Sequence, residues 1–106
     1  MSKDSAKEKL VEFLDRNAFD PVLKARPERY PENQKPKLDH VQRATRAEKE
    51  RFHQYGSARE VVDMFKDDLH SEPAKKVHRE LHELGLPTLE DVRGDFEKLA
   101  GEFGVR

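Results

Sequence analysis

With 106 residues the chain has room for one compact domain and too little for two independent cores. Charged residues make up 41% and hydrophobic ones 34%, yet 21 basic side chains nearly cancel 22 acidic ones, so the composition fits ion-paired helical surface better than a chain held open by its own charge. The absence of cysteine excludes disulfides, thiolate metal sites, iron–sulfur clusters and cysteine nucleophiles, and apolar runs such as Val61-Val62 and Met64-Phe65 are too short for a membrane span or a signal-peptide core.

Apolar residues recur at three- and four-residue steps in nearly every segment, and alternating runs of strand length are missing. The pattern predicts an all-α fold, a small bundle of about four to five helices forming a single domain over residues 1–106. The first helix is expected from about Lys3 to Arg16. Leu10, Val11, Phe13 and Leu14 make its stripe, Ser2 or Ser5 its cap and Asn17 its stop.

Four prolines, Pro21, Pro27, Pro31 and Pro36, then recur. Each lacks an amide donor and restricts the residue before it, so residues 19–37 read as a mostly extended connector, with room for a short helical turn opening at Asp20-Pro21. From Lys37 to Tyr55 the positions Leu38, Val41, Thr45, Glu48, Phe52 and Tyr55 fall on one helix face about five turns long. Its polar centre suggests a helix that docks at both ends and leaves its middle wet, with Gly56 as a left-handed stop.

Ser57-Ala58-Arg59-Glu60 matches a capping box and is the strongest local signal in the chain. It opens a helix that carries Val61, Val62, Phe65 and Leu69 on one face and ends near His70. Another follows from Ser71 with Pro73 in its first turn, Ala74, Val77, Leu81 and Leu84 inward and Gly85 as its stop. Thr88 with Asp91 is a weaker cap signal for a last helix bearing Leu89, Val92, Phe96, Leu99 and Phe103. Large apolar residues concentrate in residues 52–105, which places the best-defined core there. Within a helical core spanning 37–105, Phe65, Leu81, Val92, Phe96 and Leu99 are expected to be buried. The N-terminal helix and connector, residues 1–36, read as the less stable part.

The motifs that carry chemistry are sparse. His78 and His82 stand four apart, so both imidazoles leave one side of a helix, but the order His-x-Glu-x-His differs from the metalloprotease signature, and only His40, His53, His70 or a carboxylate could complete a ligand set. The dispersed glycines form no phosphate-cradling loop, and Ser2, Ser5, Ser57 and Ser71 all stand where caps belong. The chain therefore reads as non-enzymatic, with no cofactor and no assigned metal.

Residues 24–51 carry nine basic against five acidic groups, whereas residues 60–105 carry six against twelve, which predicts an electrical dipole. The helix, turn and helix from Val77 to Leu99 share the layout of a DNA-reading motif, but the second helix offers Glu90, Asp91, Asp95 and Glu97 against Arg93 and Lys98, which suits packing better than phosphate contact. The leading expectation is a cytoplasmic protein that binds another protein through a helical face, with Lys35, Lys37, Arg43 and Arg46 as candidate partner-binding residues. Nucleic-acid binding through residues 24–51 is the alternative, and histidine-dependent metal binding the second.

Overall fold

The computed structural model describes residues 4–105. Helix α1 (Asp4–Leu14) does not stop at Asn17. It widens into a π turn (Asp15–Phe19) and continues as α2 (Asp20–Leu23), so that residues 4–23 form one rod. The reason lies in the spacing of its apolar residues: Leu10 to Leu14 is a helical step of four, but Leu14 to Phe19 is a step of five. One turn closed by i to i+5 hydrogen bonds brings Phe19 back beneath Leu14 and keeps Leu10, Leu14, Phe19 and Val22 buried together. Asn17 Nδ2 donates to the Phe13 carbonyl inside the rod, 2.9 Å away, and Pro21 follows the widened turn at the start of α2. Ser2, a suggested cap, lies outside the described residues, and Ser5 lies within α1.

The proline-rich break narrows to residues 24–34. Arg26 and Tyr30 are extended, and between and after them the chain makes short 3-10 turns at Pro27–Arg29 and Glu32–Gln34. It is pinned rather than loose: Tyr30 Oη donates to the Leu84 carbonyl at 3.1 Å, and Gln42 Nε2 donates to the carbonyls of Val22 and Ala25. Helix α3 (Lys35–Gln54) starts with Pro36 in its first turn, where a missing donor costs nothing. Helices α4 (Ala58–His70), α5 (Glu72–Glu83) and α6 (Leu89–Glu102) complete an all-helical bundle of five rods, with no strand among the described residues.

Helix ends explain these boundaries. Gly85 at φ +74° closes α5 as expected. Gly56 does not play that part for α3: Tyr55 turns extended, at ψ 147°, and the Gly56 amide donates to Glu60 Oε1. That contact takes the Glu60 carboxylate away from the Ser57 amide, so the Ser57 cap keeps only its bond from the Glu60 amide. The reciprocal capping box forms at Thr88 and Asp91 instead. Burial opposes ionisation of Asp91, but bonds from Thr88 and His82 outweigh it and hold the carboxyl below its ordinary range.

Two apolar clusters result. The larger joins Leu10, Leu14 and Phe19 of the first rod to Phe52, Val61, Phe65 and Phe96, with Phe65 and Phe96 stacked at a centroid distance of 4.0 Å. The N-terminal rod is thus part of the core that residues 52–105 build. The smaller cluster holds Val22, Leu38, Val41, Leu81 and Leu84. Phe65, Leu81 and Phe96 are buried as expected, whereas Val92 and Leu99 are half-buried at the edge of the larger cluster.

Helix α3, about 30 Å long at 1.5 Å per residue, belongs to both clusters, through Leu38 and Val41 near its start and Phe52 near its end. Its polar centre is not wet. Thr45 is buried, and Glu48 is half-buried, where α3 meets α4 and α5.

Candidate functional site

A cleft of about 210 Å³ opens at the middle of α3. Ala44, Pro73, Ala74 and Val77 give it small apolar walls. Its polar groups are Glu48 and Arg51 from α3, Asp68 from α4, and Ser71 and His78 from the start and body of α5. Local structure sets each of these. Asp68 lies in the last turn of α4, on the side that also carries Val61 and Phe65, so it is drawn inward with them and stays 7% exposed. Ser71 ends α4 and caps α5 by accepting from the Ala74 amide, which places Ala74, Val77 and His78 on the turns that face α3.

Two acidic groups therefore meet where water is scarce. Burial, and then the neighbouring Asp68 carboxylate, push the Glu48 carboxyl up to about 9, against the opposing pull of Arg51. Asp68 Oδ2 is buried and receives no hydrogen bond from any donor of the chain in its ionised form. Arg51 Nη2 stands 3.6 Å from it, close enough for charge attraction and too far for a hydrogen bond. Two adjacent carboxyls without a donor between them need either a proton or a cation. At neutral pH the proton is the one Glu48 retains. Burial lowers the pKa of His78, with Asp68 pulling the other way, so its imidazole is neutral at the same pH.

The residues singled out from the sequence stand elsewhere and do not form one free patch. Lys35 pairs with Glu32 at 2.5 Å, Lys37 with Glu83 of α5, and Arg43 with Asp39 at 3.0 Å. Arg46 has no ion-pair partner among the described residues and lines a shallow groove with Leu23, Lys49, Glu50, His53 and Gln54. That groove is electrically mixed, because Lys49 is bound to Asp20 at 2.8 Å and His53 to Asp15 at 2.7 Å. Folding thus brings acidic side chains of other segments onto the basic stretch and blunts the dipole expected from the linear sequence.

The histidines are also separated by their partners. His82 Nε2 is 3.2 Å from Asp91 Oδ2, whereas His78 turns to the cleft. Of the residues expected to complete a ligand set, His40 faces Glu80 and His53 faces Asp15. Among the described residues no group of three or more His, Asp or Glu side chains is placed to hold a metal ion, and no helix is long and apolar enough to cross a membrane.

Glu48 and Asp68 had a sequence signal of a kind. Glu48 falls on the apolar stripe of α3, and Asp68 directly precedes the inward Leu69. A charge on an apolar stripe marks a group that folding must bury or pair. Set against known proteins, the chain matches no family model, no curated protein sequence and no solved structure.

Proposed function

We propose that this chain is a non-enzymatic helical protein that binds a protein partner, and that the partner is met at the cleft between α3, α4 and α5. The observation that carries the reading is the Asp68 oxygen, buried on the lining of an open cleft and given no hydrogen-bond donor by the chain other than the proton that Glu48 retains. Buried polar atoms are satisfied in all but a few cases, and an unsatisfied one facing an opening is suited to a group brought from outside. A second observation favours a polar contact over an apolar one. Phe103, 40% exposed, is the large hydrophobic side chain left open among the described residues, so no broad apolar helix face remains for a partner to cover.

The rival is nucleic acid at Arg43 and Arg46. Of the four candidate residues Lys35, Lys37, Arg43 and Arg46, three already face carboxylates, which weakens the net field a phosphate backbone would meet. Affinity capture with three forms of the protein separates the two readings: wild type, Ala74→Trp, which fills the cleft, and Arg43→Ala with Arg46→Ala. A protein retained by wild type and the arginine variant but lost by Ala74→Trp supports the cleft. Capture that persists in Ala74→Trp and disappears in the arginine variant, or duplex DNA binding at submicromolar affinity with a steep salt dependence, overturns it in favour of the basic stretch.

A further inference from the structure

We propose that the cleft is a receptor for a primary alkylammonium group, supplied by a lysine side chain of the partner, whose nitrogen sits between the carboxyls of Glu48 and Asp68 on the polar side of the slot. The inference names the group recognised at the cleft and so rests on the reading above.

The shape and chemistry of the walls select this group. Ala44, Pro73, Ala74 and Val77 leave a slot with small apolar sides, suited to a run of methylenes, and the carboxyls of Glu48 and Asp68 stand together on its polar side. At about 210 Å³ the slot fits a side chain and is small for a drug-sized or nucleotide ligand. An ammonium is a compact charge with three donors, enough to bond Asp68 Oδ2 and a Glu48 oxygen together. A guanidinium is broad and planar, and the existing guanidinium of Arg51 already sits at the rim, half-exposed, without reaching hydrogen-bond distance of Asp68. Arg51 therefore competes for the same carboxylate that an incoming ammonium would bond.

Charge balance fixes the coupling. With Glu48 protonated, Arg51 and Asp68 cancel and the site is neutral. Entry of an ammonium stabilises the Glu48 carboxylate, so one proton leaves Glu48 for solvent as one ammonium binds, and no covalent bond changes. The groups that face this exchange are Glu48 and Arg51 from α3, Asp68 from α4 and His78 from α5, with His82, Glu90 and Asp91 acting on His78 from behind. His78 titrates below the range in which Glu48 does, which leaves Glu48 as the proton donor above pH 7.

The test uses n-butylammonium as the probe and the whole chain, followed by NMR. Saturable millimolar binding is expected, with shifts confined to residues around Ala44, Glu48, Asp68, Ala74 and Val77. n-Butanol, of similar shape without the charge, should not bind. Affinity should rise about tenfold per pH unit between pH 7 and 8, since one proton is released for each ammonium bound. Glu48→Gln, which keeps the shape of the protonated acid, should weaken binding and abolish its pH dependence, while Arg51→Gln should tighten it several-fold by removing the competing cation.

A lysine-containing segment of a captured partner should compete with the probe, whereas a partner that occupies the cleft without displacing it would refute the lysine assignment. Absence of saturable binding, or binding unaffected by both Glu48→Gln and Ala74→Trp, overturns the inference even if a protein partner is found at the cleft. Preference for acetate or phosphate, lost in Arg51→Gln, overturns it by making Arg51 the anchor of an anion site. Probe binding that behaves as described while no protein is captured leaves the amine chemistry standing and removes only the partner reading.

Discussion

The larger apolar cluster and the middle of α3 solve the same problem, a helix surface taken out of water, by opposite means. Around Phe65 and Phe96 every group that loses water is apolar, ring faces ring at 4.0 Å, and nothing is owed to a partner. At Glu48 and Asp68 the groups that lose water are acids, and the chain, which offers the buried Asp68 oxygen no other hydrogen-bond donor, meets the cost by retaining a proton on Glu48. The first arrangement adds to stability without condition. The second depends on pH and, on the proposed reading, on what enters the cleft.

The largest expected effect tests the apolar side of this contrast. Truncating Phe96 to Ala removes a 1%-exposed ring that touches Phe13 and Phe65, and chemical denaturation should register a loss of about 3–5 kcal/mol. Val92→Ala, at the half-buried edge of the same helix, should lose clearly less. Equal losses would mean that the stacked rings are not the centre of the core.

An effect of similar size at most, with a distinctive sign, belongs to the acidic side. Glu48 keeps its proton to about 9 in the folded chain and to 4.5 by its ordinary value. The folded state therefore binds more protons than the unfolded state between these limits, and stability from this group, full below 4.5, is lost as pH rises toward 9. The slope reaches at most about 1.4 kcal/mol per pH unit. Glu48→Gln cannot ionise, so denaturation curves at pH 5, 6.5 and 8 should show the variant overtaking the wild type progressively. Parallel stabilities across that range would show that Glu48 is not held as an acid.

The smallest effect concerns the caps that place these helices. Thr88→Ala breaks a reciprocal box and should cost about 1 kcal/mol. Ser57→Ala removes a single bond, the Glu60 carboxylate being occupied by Gly56, and should cost less. The opposite order in thermal denaturation would restore the ranking that the bare sequence suggests.

Much of the fold is legible in the linear chain. Helical periodicity, Pro73 in the first turn of α5 and Gly85 after its end are local properties, set by backbone sterics and by which amides lack partners, and residue order alone reveals them, whereas Pro36, which reads as part of the connector, stands in the first turn of α3. Asn17 misleads because a stop signal is weak beside the burial of Phe19, which the π turn secures by adding one residue to a turn. Gly56 misleads because a glycine permits a left-handed conformation without requiring it, and the Glu60 carboxylate offers its amide another bond.

The candidate site is harder to see, since its acids lie twenty residues apart in sequence and neither is unusual alone. Sequence by itself determined which residues would form helices, where most of them end and which stripes would face inward. Only the tertiary structure decided that the polar centre of α3 would be covered by α4 and α5, that Asp68 would meet Glu48 there, and that Lys37 and Arg51 would face acids of distant helices. Burial and carboxyl proximity are properties of packed surfaces, and they shift a proton's affinity only once the chain has folded and excluded the water between them.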